Sequence, residues 1–155
     1  MTRCLRRWHG DERGQMGGIE VLPFGFLIFV VGALLIANAW GVVDAKLATD
    51  AAAREAARTF VEVVEGDDAA AARAAAIAAG DEAAAGHGRA PERMDVTVEA
   101  PSVARCAVVT VIATYEVPAI PLPWIGGFGD GITVRSRHSE RIDPFRDDVA
   151  GPVTC

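Results

Sequence analysis

Residues 14–43 read GQMGGIEVLPFGFLIFVVGALLIANAWGVV, and the rest of the chain has to be understood from this stretch outward. Between Glu20 and Asp44 lie 23 residues without a charge. At a helical rise of ~1.5 Å per residue, a run of that length crosses a hydrocarbon layer of ~30 Å. Its polar residue, Asn38, falls near the far end. Arg3, Arg6, Arg7 and Arg13 precede the run, whereas Asp44 and Asp50 follow it with Lys46 between them. The positive-inside bias then predicts a cytoplasmic N-terminus and an exported remainder.

Working outward, the leader MTRCLRRWHGDER has no apolar period and reads as an orientation signal rather than a folded element. Gly17 and Gly18 loosen the backbone before Glu20, and Pro23 either sits in the first turn of the helix or kinks it. Gly25, Gly32, Ala33, Ala37, Ala39 and Gly41 recur along the span, where small residues let a second helix approach or simply face lipid. The helical pattern continues beyond the apolar run through DAKLATDAAAREAARTFVEVVE (44–65), which lacks Gly and Pro. Ala45, Ala48, Ala52, Ala56, Phe60 and Val63 share one face, and Asp50, Arg54, Arg58 and Glu62 step along another. Gly66 stops that helix, and Asp67-Asp68 open the next. Residues 69–85 contain 12 alanines among 17 residues, with Ile77 the only large apolar side chain and Gly80 weakening the middle.

From Pro91 the period becomes two. Met94, Val96, Val98 and Ala100 alternate with polar residues. RCAVVTVIATYEV (105–117) reads as a longer central strand, with Val109, Val111, Ala113 and Tyr115 on one face. Ile132 to Arg141 alternates again, with Arg135, Arg137 and Arg141 on an exposed face. The apolar loop 118–131 carries Leu122, Trp124, Ile125 and Phe128, which either fold back over a small core or remain exposed as a partner patch or a dip into the membrane interface. The fold class is therefore α+β. A long N-terminal helix, transmembrane and continuing outside, precedes an Ala-rich helix and a three-stranded antiparallel sheet. The domain plan is a leader at 1–15, a span at 16–43, its extracytoplasmic continuation at 44–65, a small domain at 66–146 and a flexible tail at 147–155.

The part from Asp44 onward holds 18 acidic against 11 basic side chains, a balance of −7, which argues against a nucleic-acid partner. Cys106 and Cys155 fall on the oxidising side, where a disulfide is allowed and two separate thiols are the alternative. No metal-spaced cluster, CxxC, P-loop or nucleophile elbow is present, and His138 and Ser139 point to opposite faces of a strand. The expectation is a protein that is not an enzyme and needs no cofactor or metal.

Glu20 calls for an explanation. At the membrane edge its carboxylate can snorkel to water. Drawn to full depth, the charge costs about 2.5–3.5 kcal/mol unless a cation meets it. The basic leader, the glycine-containing site before Glu20, the long emerging helix and the closing segments RCAVVTVIATYEVP and ITVRSRHSERIDPFR together resemble the TadE-like minor pseudopilins of tight-adherence (Flp-type) pilus systems, within the type IV pilin-like proteins. The resemblance runs over most of residues 13–146. It implies a structural subunit of a pilus or secretion filament, in the bacterial cell membrane, meeting other pilin subunits through its N-terminal helix. It also implies a prepilin peptidase that cuts near Gly14, Gln15 or Met16, and a Glu20 that pairs with the new amine of a neighbouring chain. In the family the glutamate is fifth in the mature chain after a glycine. Here cutting after Gly14 makes Glu20 sixth, and a fifth position puts Gln15 before the cut.

Two other readings are open. Ala37-Asn38-Ala39 is an A-x-A site after an apolar run, so signal peptidase would release a soluble domain beginning at Trp40. A single-span anchored module that binds a surface partner through the 118–131 loop is the other.

Overall fold

The computed structural model describes residues 16–66, 68–119 and 131–155, with side chains from Val21 onward. Two helices, the first long and apolar, precede a three-stranded antiparallel sheet packed on the first helix. Helix α1 spans Met16–Val63 and α2 spans Ala69–Gly86. A 3-10 turn at Pro91–Arg93 leads into β1 (Met94–Glu99), followed by β2 (Val108–Val117) and β3 (Ile132–Arg141). By their contacts the residues divide into two units, Met1–Ala37 and Asn38–Cys155.

Within the second unit the sheet order is β1-β2-β3, with Val96 opposite Ala113 and Ala113 opposite Ser136. The inward face read from the sequence holds, with Val96, Val98, Val109, Val111, Ala113, Tyr115 and Val134 buried toward α1, while Thr110 and Ile112 on the opposite face of β2 are buried as well. Most of what α1 and α2 bury is alanine. Ala45, Ala48, Ala52, Ala53, Ala56 and Ala57 are essentially fully buried on α1, and α2 buries Ala72, Ala76, Gly80 and Ala84 at intervals of four. Small side chains permit this close approach. They bury little area each, so the larger stabilising contributions come from Phe60, Val64, Val109, Val111, Ile142 and Val149, all nearly inaccessible.

Gly80 has a packing reason and is not merely a weak point in α2. A Cβ built there lies 3.1 Å from Val96 Cγ2 and 3.4 Å from both the Ala52 carbonyl oxygen and Ala56 Cβ. The glycine lets α2 touch α1 and β1 together. Asp68 caps α2 by accepting from the backbone N–H groups of Ala70 and Ala71 at 3.0 and 3.2 Å.

Four sequence expectations change. Val63 is 44% exposed, and Val64, just past the last helical residue, is buried in its place. The helix ends there, so the 3.6-residue phase no longer selects the inward residue. The central strand begins at Val108 rather than Arg105, because Arg105 and Cys106 form a turn with Cys106 at φ 65°. Pro23 lies inside α1, which starts seven residues earlier at Met16. Residues 147–155, expected to be a flexible tail, are tied to the domain at several points. Val149 is 2% exposed, the Gly66 N–H donates to the Asp148 carbonyl at 2.9 Å, and the Arg105 N–H donates to the Ala150 carbonyl at 2.7 Å. Gly151, at φ 130°, passes so close to Arg105 that a Cβ would stand 2.8 Å from the Arg105 nitrogen. A disulfide joins Cys106 to Cys155, with their Cα atoms 5.5 Å apart.

Candidate functional site: an exposed apolar helix and its grip on the domain

The first half of α1 has the composition of a buried segment and the exposure of a surface. Among its described side chains none from Val21 to Asp44 is buried, and Leu22, Phe26, Phe29, Ile36 and Trp40 each expose about 70% or more of their area. The helix is long and apolar enough to cross a membrane, with a mean hydropathy of 2.4 over its most apolar window. Length and composition alone leave it as either a membrane span or a signal sequence. Around Gly25, Gly32 and Gly41 there is open space within 4 Å of any added Cβ among the described residues.

Gly14 and Gln15 lie outside the described residues. Met16 and Glu20 belong to the backbone of α1, but their side chains lie outside the description. Leu122, Trp124, Ile125 and Phe128 also lie outside it. The ends of their loop are paired, with Val117 opposite Ile132.

Where the apolar run ends, sequence-distant residues hold α1. Asp44, the first charge after the run, forms an ion pair with Arg89 from the segment after α2. The Arg89 guanidinium also lies over the Tyr115 ring, 5.7 Å from its centroid. Its side chain is 18% exposed, and its Nε is buried without a hydrogen-bond partner among the described residues. Beneath it, Val42, Ala45, Met94, Tyr115, Val117 and Val134 form an apolar cluster.

Two residues further, Lys46 Nζ donates to the Arg135 carbonyl at 2.8 Å, to Ser136 Oγ at 2.6 Å and to Asp50 Oδ1 at 3.2 Å. Thr49 Oγ1 bonds Ser136 Oγ at 2.8 Å inside the core. This clasp fastens α1 to β3. Ser136 hydrogen bonding, with Lys46 and Arg54 nearby, holds the Asp50 carboxyl below the ordinary carboxylate value against a smaller effect of burial.

At the far end Arg146 reaches the last turn of α1. It donates to the Glu62 carbonyl at 3.1 Å, to the Val64 carbonyl at 2.7 Å and to the Val61 carbonyl. These acceptors are among the carbonyls a helix C-terminus leaves unpaired, and a cation there also opposes the negative end of the helix dipole. Asp148 orients the guanidinium through a paired contact, which lowers the Asp148 pKa and raises that of Arg146.

Sequence reasoning did not single out Arg89, Lys46 or Arg146. Lys46 and Asp50 carried a faint signal in their i,i+4 spacing. Arg89 and Arg146 sit in irregular segments with no periodicity to mark them.

Among the described residues no group of three His, Cys, Asp or Glu side chains is placed to hold a metal ion. His138 faces Glu140 two residues along β3, with Nε2 3.6 Å from Oε1.

The long N-terminal apolar helix followed by a small antiparallel sheet domain is consistent with type IV pilin-like architecture. Comparison with family models, curated proteins and solved structures gave no match for this chain.

Proposed function

We propose that this chain is a minor pilin or pseudopilin-type structural subunit, TadE-like, that serves the assembly of a tight-adherence (Flp-like) pilus or secretion filament. The observation that carries this reading is the division of α1 into two roles. Up to Asp44 none of its described side chains is buried, whereas from Ala45 to Phe60 its inward face is the core of the domain. In this reading the first part sits in the bacterial membrane with its N-terminus cytoplasmic, and later packs among the helices of other pilin subunits. The second part carries the domain outside.

The Arg89–Asp44 pair and the Lys46 clasp support the reading. They fix the domain to the helix within the first turn beyond the apolar run, so that helix–helix register also sets domain position. A prepilin peptidase cuts near Gly14, Gln15 or Met16, and Glu20 pairs with the amine exposed on a neighbour. The role is structural and not catalytic.

Sequencing the N-terminus of protein extracted from membranes is the direct test, and an intact Met1 end rejects processing. Glu20→Ala leaves export and the folded domain intact while impairing piliation. Unchanged piliation sinks the charge pairing.

The contact boundary at Ala37 and Asn38 favours one second reading, in which signal peptidase cuts after Ala39 and releases the domain. Fractionation separates the two, because only release predicts a culture-supernatant species beginning at Trp40.

A further inference from the structure

On the face of the sheet turned away from α1 the outer strands expose their charges, and those two strands differ in sign. β1 presents Asp95 and Glu99, β3 presents Arg135, Arg137 and Arg141, and all five are exposed. Between them β2 contributes Thr110 and Ile112, both 8% exposed, then Thr114 and, at its end, the exposed Glu116. Both outer strands are antiparallel to β2, so they run parallel to each other. An acidic and a basic column therefore lie side by side, two strand spacings or ~10 Å apart.

Inside the chain these columns barely use each other. Glu99 and Arg137 meet at 3.9 Å with 53% and 65% of their side chains exposed. Arg135 and Arg141 have no ion pair among the described residues. Asp95 accepts from its strand neighbour Thr97 at 3.2 Å.

The spacing of the columns matches. Asp95 to Glu99 and Arg137 to Arg141 are each four residues apart, or ~13.6 Å at ~3.4 Å per strand residue. A second copy in the same orientation, set beside the first, places Asp95 against Arg137, Thr97 against Ser139 and Glu99 against Arg141. Within one chain Asp95 is level with Arg135 across Thr114. The match thus needs a stagger of two residues, ~6.8 Å along the strand, from each copy to the next.

We infer that this sheet face joins copies of the chain laterally, the β3 arginines of one copy meeting the β1 carboxylates of the next. The inference rests on reading the chain as an assembling subunit and names the surface it uses. Each copy keeps one column free after the first contact, so repetition builds an open array rather than a closed pair. The contact is made by side chains and not by strand addition, since Lys46 already holds the Arg135 carbonyl of the edge strand. A long polyanion suits the face less well. Asp95 and Glu99 lie within about one Debye length, ~8–10 Å, of the arginines and repel it.

The test uses full-length chains in membranes, one tagged copy carrying Thr97→Cys and a second carrying Ser139→Cys. Oxidation is expected to link the two copies, while Thr97→Cys with Arg54→Cys, on the exposed side of α1, gives no link. Equal linking in the control, or none at 97 and 139, overturns the contact. Charge reversal is then added to the cysteine pair. Arg137→Glu with Arg141→Glu in both copies, or Asp95→Arg with Glu99→Arg in both, lowers the linked yield by about tenfold or more through like-charge repulsion. One copy of each reversed type restores it. A yield indifferent to reversal, or not restored by mixing, overturns the inference.

If dextran sulfate binds the wild-type chain but not the Arg137→Glu, Arg141→Glu variant, and no link forms, the arginines serve an anionic ligand and self-docking is wrong. The link is read whether or not pili form. Its absence alongside Glu20-dependent piliation overturns this inference alone, and its presence in cells whose piliation is unchanged by deleting the whole chain overturns the pilin reading alone.

Discussion

Replacing Cys106 and Cys155 together by serine tests how much of the domain depends on a closure that no local pattern specifies. The bond joins residues 49 apart in sequence, and it closes the chain from the turn before β2 through β3 to the C-terminal segment. In the chain-entropy description a loop of that length removes ~14 cal/mol/K from the unfolded ensemble, or about 4 kcal/mol at 25 °C. That is a large part of the ~5–15 kcal/mol by which domains of ordinary size are stable. The alanine-rich contact between α1 and α2 provides little to offset the loss. Thermal and urea unfolding of the detergent-solubilised full chain, followed by near-ultraviolet circular dichroism, should show the serine variant melting roughly 15 °C lower. Reductant should lower the melting temperature of wild type and leave the variant unchanged. A loss below about 1 kcal/mol refutes the reasoning, because Val149 and the hydrogen bonds from Arg105 would then hold the C-terminal segment alone. The same bond reports compartment. Cys106 and Cys155 in intact cells should resist maleimide until reduced, as an exported domain requires.

Three further outcomes are expected. Gly80→Val forces a branched side chain into the 3.1 Å gap to Val96 and should cost about 1–3 kcal/mol despite its better helix propensity, read by the same unfolding assay. Arg146→Met keeps the stem but leaves the Val61, Glu62 and Val64 carbonyls without their cation, and the last turn of α1 should lose amide exchange protection before the rest of the domain. Asp50 and Asp148 have depressed pKa values, so the stability they add is present above the ordinary value of 3.8 and is lost as pH falls through their lower folded values. Asp81 is shifted upward by burial and works in the opposite sense, so Asp81→Asn should stabilise the domain at pH 7 while Asp50→Asn flattens the acid limb of the stability profile.

Much of the molecule was legible because its elements are local. The uncharged run after Glu20, the helix without Gly or Pro after Asp44, the Asp68 cap and the period-two strands depend on residues within a few positions of one another. Each of these elements is found where its pattern lies. Gly14, Gln15 and the residues of the 118–131 loop that carry Leu122 to Phe128 fall outside the described residues. The late start of β2 and the pinned C-terminal segment were not legible, since each is decided by a partner tens of residues away, and neither was Val64, because it lies just past the end of the helical phase.

By itself, then, the sequence determined the order and type of the elements, the inward faces of the strands and the single long apolar run, because hydrophobic period and propensity act over one or two turns. Only the tertiary structure decided that Gly80 is a point of contact, that Arg89, Ser136 and Arg146 hold α1 from three different segments, and that β1 and β3 carry opposite charges at equal spacing on one face. Those arrangements arise when chain closure brings distant side chains within hydrogen-bond range, and no local period encodes the distance between them.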